Sequence, residues 1–260
     1  MLKNKIPRHI IFLSTVYLSG IFVFFLFRFL LLLTEWHQLS ILPDKESLIS
    51  QSFLMGLRFD TAVSCYIVAL PLVFLSITSC IGWERRQFYT VISWFMIVLY
   101  LISFFICSAD IPYFNYFFSR ITVIVLGWTD WLGFIIKMGM QEVRYFIYFF
   151  VFLFFAVGFT LYIRKLTRRI TENITSIKSK QYKRSILFKV IISLVAIGIL
   201  FVGLRGRLAQ KAPIRVGTAF FSNYAFPNQL GLNPVFTFTR SYFDAMNPEN
   251  RALKLINNNQ

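Results

Sequence analysis

The chain has 260 residues, of which 57% are hydrophobic, 19% aromatic and 15% charged, and its formal net charge is +16 at pH 7. This composition excludes an ordinary soluble domain, because one soluble core of this length cannot bury 32 phenylalanines. The basic residues lie beside apolar runs, which is typical of a polytopic membrane protein facing anionic lipid, so we expect no nucleic-acid partner.

Five apolar stretches predict membrane-spanning helices. A helix rises about 1.5 Å per residue, so roughly 20 apolar residues cross the hydrocarbon of a bilayer. The stretches cover about residues 10–33, 61–82, 88–108, 143–163 and 186–204. They lack the alternation of barrel strands, so helices satisfy their backbone in lipid. We therefore predict an all-α membrane protein in which residues 1–204 form a five-helix transmembrane domain.

The first predicted helix is interpreted as an uncleaved anchor. Its apolar run is longer than that of a signal peptide, and no small-x-small cleavage site follows it. Arg28 lies near the end of this helix, where a long side chain can reach the headgroups. We therefore interpret Arg28 as a phosphate anchor rather than a transport residue.

The placement of positive charge predicts the orientation of the helices. If the amino terminus is cytoplasmic, the inner segments hold most of the basic residues before the fifth helix ends, whereas the first two outer loops hold few and these are diluted by acids. The inner set is Lys3, Lys5, Arg8, Arg85, Arg86, Arg164, Lys165, Arg168, Arg169, Lys178, Lys180, Lys183, Arg184 and Lys189. We therefore expect a cytoplasmic amino terminus and an extracytoplasmic carboxyl terminus.

The segment between the third and fourth spans, about residues 111–136, is apolar enough to suggest a sixth crossing. It is interrupted by Gly127, Asp130 and Gly133, and a crossing here would reverse the charge asymmetry. We predict instead an interfacial helix, or a pair of helices, in the outer leaflet, with Trp128 and Trp131 at headgroup depth.

After Leu204 the chain becomes rich in Gly, Pro and Asn, as in "AFPNQLGLNPVF". Such a composition is typical of turns rather than of a domain core. We predict that residues 205–260 form an extended extracytoplasmic linker.

Several polar residues are predicted at the outer ends of the spans, where they could together form an anionic headgroup site on a membrane phospholipid. Guanidinium groups suit phosphate because they donate two parallel hydrogen bonds. The candidate headgroup-binding residues are Arg58, Asp60, Asp110, Arg120, Arg205, Arg207 and Lys211. The alternative is that Arg58, Asp60 and Asp110 form structural salt bridges. Positions i and i+2 of a helix do not share a face, so Arg58 and Asp60 should have different partners.

The chain offers no recognisable catalytic or metal centre. Its histidines, His9 and His37, have neither metal-ligand spacing nor a nucleophile–base arrangement. The cysteines, Cys65, Cys80 and Cys107, lie inside apolar runs without paired spacing. We therefore predict no catalytic residue, no metal ligand and no cofactor in this chain.

Three stretches carry a family resemblance: "FLMGLRFD", "SADIPYFNYFFSR" and "RGRLAQKAPI…FFSNYAF…LNPVF". They resemble the lipoteichoic-acid synthase-like family of membrane sulfatases and phosphoglycerol transferases, which belongs to the alkaline-phosphatase superfamily. The stretches look most like the Gram-negative branch of this family. The resemblance therefore implies a bacterial inner-membrane protein with a periplasmic carboxyl terminus. One departure is that Arg207 stands where the family usually has the second glycine of Arg-Gly-Gly.

The resemblance implies a five-helix membrane domain followed by an extracytoplasmic catalytic domain, which uses a threonine nucleophile and a divalent metal, typically manganese. That domain's motifs are absent, so we expect the chain to be the membrane portion alone. The implied function is a membrane anchor and lipid-substrate platform of a phosphoglycerol- or phosphoethanolamine-type transferase or a sulfatase. The alternatives are a small polytopic transporter or channel, or a non-catalytic membrane scaffold; the spans lack the interior acid or base pairs of a transporter.

Overall fold

The computed structural model describes residues 6–131, 143–172, 183–206 and 213–247, and every regular element within these ranges is a helix. Five helices are long and apolar enough to cross a membrane, which confirms the predicted all-α membrane protein with five candidate spans. The long helices are α1 (Arg8–Thr34), α3 (Lys45–Ile81), α4 (Arg86–Phe117), α5 (Val143–Thr171) and α6 (Lys183–Arg205). The short helices are α2 (Trp36–Ser40), α7 (Ala225–Leu230) and α8 (Pro234–Met246).

The long helices alternate in direction along the chain, which gives the bundle two ends. The His9 end holds the start of α1, the turn between α3 and α4, the end of α5 and the start of α6. The Arg28 end holds the end of α1, the start of α3, and the ends of α4 and α6. The closest helix pairs are α4 with α5, α3 with α6 and α1 with α3.

Aromatic rings fill the centre of the bundle. The ring centroid of Phe104 lies 5.5 Å from that of Phe24 and 5.2 Å from that of Phe159, in edge-to-face geometry. Tyr100 packs beside them against Gly20 of α1, where an added Cβ would come within 2.2 Å of the Tyr100 ring. Gly20 therefore permits the close approach of α1 and α4.

Two helices extend well past the apolar stretches that predicted them. Helix α3 begins at Lys45 rather than near residue 61, and α4 ends at Phe117 rather than near residue 108. Asp60 and Asp110 therefore lie inside helices, not before or after them. Polar and turn-forming residues lower the hydropathy of these helical turns, so an assignment based on hydropathy does not include them.

The predicted interfacial helix over residues 111–136 differs from what the structure shows. Residues 111–117 are the last turns of α4, Phe118 adopts a left-handed conformation with φ of 52°, and a 3-10 helix covers Val123–Trp131. The chain reverses here because the backbone N–H of Ile121 donates to Asp110 Oδ1 at 2.8 Å. Residues 132–136, and the side chains of Trp128 and Trp131, lie outside the described residues.

The prediction of an extended linker after residue 204 is wrong for residues 213–247. This part, called here the docked segment, contains α7 and α8 and packs against the Arg28 end of the bundle. Its apolar side chains Phe226, Leu230 and Leu232 are buried, and Leu230 has no exposed surface. Of the residues that suggested a linker, Gly231 and Asn233 lie between the two short helices, whereas Pro227 and Asn228 lie inside α7 and Pro234 begins α8. Residues 207–212 and 248–260 lie outside the described residues.

Candidate functional site

The first feature of the Arg28 end is a buried ion pair between α1 and α3. Arg28 Nη1 donates to Asp60 Oδ2 at 2.6 Å, and Nη2 donates to Oδ1 at 2.9 Å, which is the bidentate geometry of a strong pair. Both side chains are almost fully buried, with exposed fractions of 4% and 1%. Arg28 Nε also donates to the carbonyl oxygen of Leu230 at 3.0 Å, so the pair reaches the docked segment.

A second buried pair joins the end of α4 to the chain that follows it. Arg120 Nη1 donates to Asp110 Oδ2. The remaining donors of Arg120 are directed at the docked segment: Nε reaches the carbonyl of Gln229 at 2.8 Å, and Nη2 reaches that of Leu232 at 3.1 Å. Asp110 is fully buried, and its other oxygen accepts from the backbone as described above.

Asn233 connects the first pair to the start of α8. Its Nδ2 donates to Asp60 Oδ1 at 2.7 Å, while its side-chain oxygen accepts from the backbone N–H of Val235 at 2.9 Å. The residue is therefore an N-cap, and Pro234 occupies the first helical turn, where a missing N–H costs nothing. One buried amide thus starts α8 and fixes it to α3.

The two arginines donate to the carbonyls at the end of α7. The last carbonyls of a helix have no partner within it, and burying an unpaired carbonyl is unfavourable. Helix α7 ends at Leu230 against the bundle, and the Leu230 carbonyl accepts from both Arg28 and Arg120, whereas the Gln229 carbonyl accepts from Arg120 in addition to the N–H of Leu232. Residues Arg28, Asp60, Asp110, Arg120 and Asn233 are called the buried clamp below, because together they hold residues 229–235 against the membrane helices.

The buried clamp leaves no room for a ligand. The void bounded by Arg28, Asp60, Arg120 and Asn233 has a volume of about 10 Å³. That is about the space of a single water, far less than a phosphate group requires. The groups of the buried clamp hold parts of the protein together: the guanidinium groups donate to carboxylates and carbonyls, and the charges neutralise each other. Among the described residues no group of three or more His, Cys, Asp or Glu side chains could hold a metal ion.

The structure divides the seven predicted headgroup residues. Asp60, Asp110 and Arg120 belong to the buried clamp and make contacts within the protein. Arg58 is exposed and donates to the carbonyl of Gly206 at 3.2 Å, so it and the adjacent Asp60 have different partners, as predicted. Arg205 ends α6 and is partly exposed. Arg207 and Lys211 lie outside the described residues.

Three arginines lie at the end of α6 or next to it in the chain. Arg58 donates to the carbonyl of Gly206, and the N–H of Ile214 donates to the carbonyl of Arg205 at 3.1 Å, so the backbone that leads into Arg215 returns to the end of α6. Gly206 has a φ of 62°, and a Cβ there would lie 2.9 Å from the Ile214 side chain. Only glycine suits this left-handed, close-packed position. The basic exit, as we call Arg58, Arg205 and Arg215, is thus built on a conformation that Gly206 permits.

The sequence alone did not identify which arginine pairs with which aspartate in the buried clamp. Arg28 was interpreted as a phosphate anchor, yet its guanidinium is buried against Asp60. A lone arginine in an apolar span usually faces the bundle interior and pairs with an acid, and that rule could have suggested the pair. The dipeptide Asn233-Pro234 was also an available helix-start signal.

Gly56 gives a direct test of the first pair. A Cβ built on Gly56 would lie 2.1 Å from the guanidinium carbon of Arg28, so Gly56→Ala must displace that group. We expect a loss of about 2–3 kcal/mol in the free energy of unfolding, because displacement weakens buried charged hydrogen bonds. Chemical unfolding in mixed detergent micelles measures it.

Gly158→Ala and Gly198→Ala are the matched controls, since both are helical and a Cβ would meet nothing within 4 Å. They should leave stability unchanged or raise it by up to about 1 kcal/mol, from helix propensity. If Gly56→Ala behaves like these controls, Arg28 is not held as described.

Comparison with known proteins adds no relative: no protein-family model, no curated protein and no solved structure matches this chain. The family resemblance of the three quoted stretches therefore stays a prediction. What the geometry itself identifies is a membrane bundle that clamps the chain segment following its last span.

Proposed function

We propose that this protein is the membrane anchor and lipid-substrate platform of a lipoteichoic-acid synthase-like enzyme, a phosphoglycerol- or phosphoethanolamine-type transferase or a sulfatase. The observation that carries the proposal is the buried clamp, in which Arg28 and Arg120 fix the docked segment by its main chain. An anchor that positions an enzyme over a membrane needs such a rigid exit from the bundle. The resemblance supplies the enzyme class.

The proposed sides of the membrane follow from charge. The end of α5 and the start of α6 lie at the His9 end, and the sequence from Arg164 to Lys189 holds the densest basic run, so the positive-inside rule favours a cytoplasmic location for this end. The docked segment is then periplasmic in the inner membrane, where a catalytic domain of this family would act. That domain would hold the divalent metal, manganese in the family; the described residues of this chain do not fit a metal site.

The basic exit is the proposed contact with the lipid substrate. Arg205 is the last residue of the candidate span in α6, and Arg58 donates to the carbonyl of Gly206 directly after it, which supports a location near the headgroups. Arginine binds phosphate through paired donors and stays charged at all relevant pH values. Of the residues predicted from the sequence, Arg58 and Arg205 keep this proposed headgroup function, whereas Asp60, Asp110 and Arg120 support the platform from within.

A topology experiment tests the anchor. Single-cysteine variants at residues 6 and 247, made in a chain with Cys65, Cys80 and Cys107 replaced by alanine, are labelled in intact cells with a membrane-impermeant maleimide. We expect labelling at 247 and none at 6, and labelling at both after the membrane is opened, because an odd number of spans separates the termini. Labelling of both sites in intact cells would contradict the proposed arrangement.

A lipid-turnover experiment tests the platform. Membranes from cells that produce this chain together with the proposed catalytic domain receive a fluorescent phosphatidylglycerol or phosphatidylethanolamine, and release of its diacylglycerol is followed against membranes from a deletion strain. We expect Arg58→Ala/Arg205→Ala to lower the rate roughly tenfold or more, because two phosphate-directed guanidinium groups are lost. Arg240→Ala is the control, since this arginine is half exposed on α8 and pairs with Asp244. Equal release with and without the gene would sink the proposed enzyme class.

A further inference from the structure

A second basic site lies at the opposite end of the bundle, in a groove between α4 and α5 at the His9 end. The groove has a volume of about 430 Å³, which is within the range of small-molecule sites. It is lined by Arg86, Thr90, Ser93, Trp94, Leu161, Arg164, Lys165, Thr167, Arg168 and Thr171. Four of these side chains are basic and none is acidic, so the groove selects for an anion.

The basic side chains of the groove are not neutralised by carboxylates of the described residues, with one exception. Arg168 pairs with Glu172 at 3.1 Å, but the two side chains are 76% and 55% exposed, so this ion pair is weak and leaves Arg168 able to bind an anion. Arg86, Arg164 and Lys165 have no ion pair among the residues that the structure describes. Arg164 is positioned by Trp94, whose ring centroid lies 5.7 Å from its guanidinium carbon, a cation–π contact. An arginine held in this way over an aromatic ring presents its donors to the groove.

The depth of the groove indicates what occupies it. The candidate membrane-spanning helix Phe146–Thr171 in α5 has 26 residues, which make about 39 Å of helix, about 9 Å longer than the hydrocarbon of a bilayer, and its basic residues begin at Arg164. The last turns of α5, which carry Arg164 and Arg168, therefore lie at headgroup depth at this end. Leu161 lies about one helical turn before Arg164, and Trp94 lies beside Arg164, so both are nearer the acyl chains of the bilayer. Along the groove the exposed side chains change from apolar to basic, which matches a phospholipid whose acyl chains lie deeper and whose phosphate lies nearer the surface.

We propose that this groove binds one anionic phospholipid, with the headgroup phosphate on Arg86, Arg164 and Arg168 and the upper acyl chain on Trp94 and Leu161. The hydroxyls of Thr90 and Ser93 donate to their own helix, Thr90 to Arg86 at 3.1 Å and Ser93 to Thr90 at 2.8 Å. Their oxygens can still accept a hydrogen bond from a headgroup hydroxyl. The site is at the other end from the basic exit, so it does not depend on the proposed function.

The test is native mass spectrometry of the full chain in detergent, titrated with phosphatidic acid or with phosphatidylcholine of the same acyl chains. We expect a one-to-one complex with phosphatidic acid and roughly tenfold weaker binding of phosphatidylcholine, because the groove supplies cations near the phosphate. Arg164→Ala/Arg168→Ala should remove this preference. Arg85→Ala/Arg169→Ala is the matched control: both arginines are exposed at the same end, outside the groove, and the loss of charge is equal.

Two results would overturn the proposal. The first is an equal loss of binding in the two double variants, which would show a diffuse charge effect. The second is displacement of phosphatidic acid by inorganic phosphate at equal concentration, which would show an ion site without a lipid. Thr90→Leu is a second variant that tests the groove if the double variant misfolds. Thr90 is exposed in the groove, and the change adds bulk without altering charge. It should weaken phosphatidic acid binding while leaving the melting temperature in place.

Discussion

Replacing Asp60 by alanine is expected to lower the free energy of unfolding by about 3–5 kcal/mol, because it leaves Arg28 buried without a counter-charge. The Arg28 guanidinium has an exposed fraction of 4%, so water cannot replace the lost carboxylate. Asn233 loses its acceptor in the same step. Unfolding by a graded fraction of denaturing detergent in mixed micelles measures the change.

Two comparisons identify the pair as the cause. Asp244→Ala removes a carboxylate from an exposed pair with Arg240, with both side chains 48% exposed, and should cost less than about 1 kcal/mol. The double variant Arg28→Met/Asp60→Leu removes both charges and should recover part of the loss, because apolar pairs of similar size replace buried ion pairs well. If the double variant loses as much stability as Arg28→Met and Asp60→Leu lose together when each is made singly, the pair contributes no coupling energy and our account of it is wrong.

The number and order of the spans could be predicted from the sequence because bilayer thickness fixes the length of an apolar helix. Their ends could not be predicted in the same way. Helix α3 continues outwards through "KESLISQSFLMGLRFD", in which polar residues lower the hydropathy without breaking the helix. Hydropathy measures the cost of transfer into lipid, whereas a helix also continues where protein packs against it.

The candidate site was predicted as a set of polar residues at one depth, and its internal pairing was not. Asp60 and Asp110 were expected near the ends of spans, either facing lipid headgroups or in structural salt bridges whose arginine partners the sequence did not identify. In the structure each carboxylate faces an arginine from a different part of the chain, Arg28 and Arg120. Such partners depend on how the helices rotate about their axes, and apolar runs that are hydrophobic on all sides do not encode that rotation.

The docked segment shows a different limit. Gly, Pro and Asn are typical of turns, and the sequence therefore favoured a linker. Asn228 instead accepts from the backbone N–H groups of Phe221 and Ser222 at 3.1 and 3.0 Å, and Asn233 caps α8. Turn residues here specify a compact local fold that becomes stable only against the bundle, since α7 has six residues and could not persist alone.

Replacing Arg120 by methionine is expected to release the docked segment from the bundle. The variant removes the Arg120 donors from the carbonyls of Gln229 and Leu232, of which Gln229 keeps the N–H of Leu232, and it leaves Asp110 buried without its cation. A local loss of about 3 kcal/mol corresponds to roughly hundredfold faster amide hydrogen exchange in the segment that opens. The readout is exchange measured by mass spectrometry on peptides from residues 213–247.

The pattern of exchange decides whether the clamp acts locally. Peptides from the centre of α1 and α4 around Phe24 and Phe104 should keep wild-type exchange, because their ring contacts do not involve Arg120. Arg240→Met, also on a helix of the docked segment but in an exposed pair, should leave exchange unchanged. Faster exchange throughout the protein would mean that Arg120 supports the bundle as a whole, and unchanged exchange in residues 213–247 would mean that apolar contacts such as those of Leu230 suffice. Faster exchange confined to the docked segment is what a platform requires, because the same arginine that shields α7 from water then also fixes the path of the chain leaving the membrane.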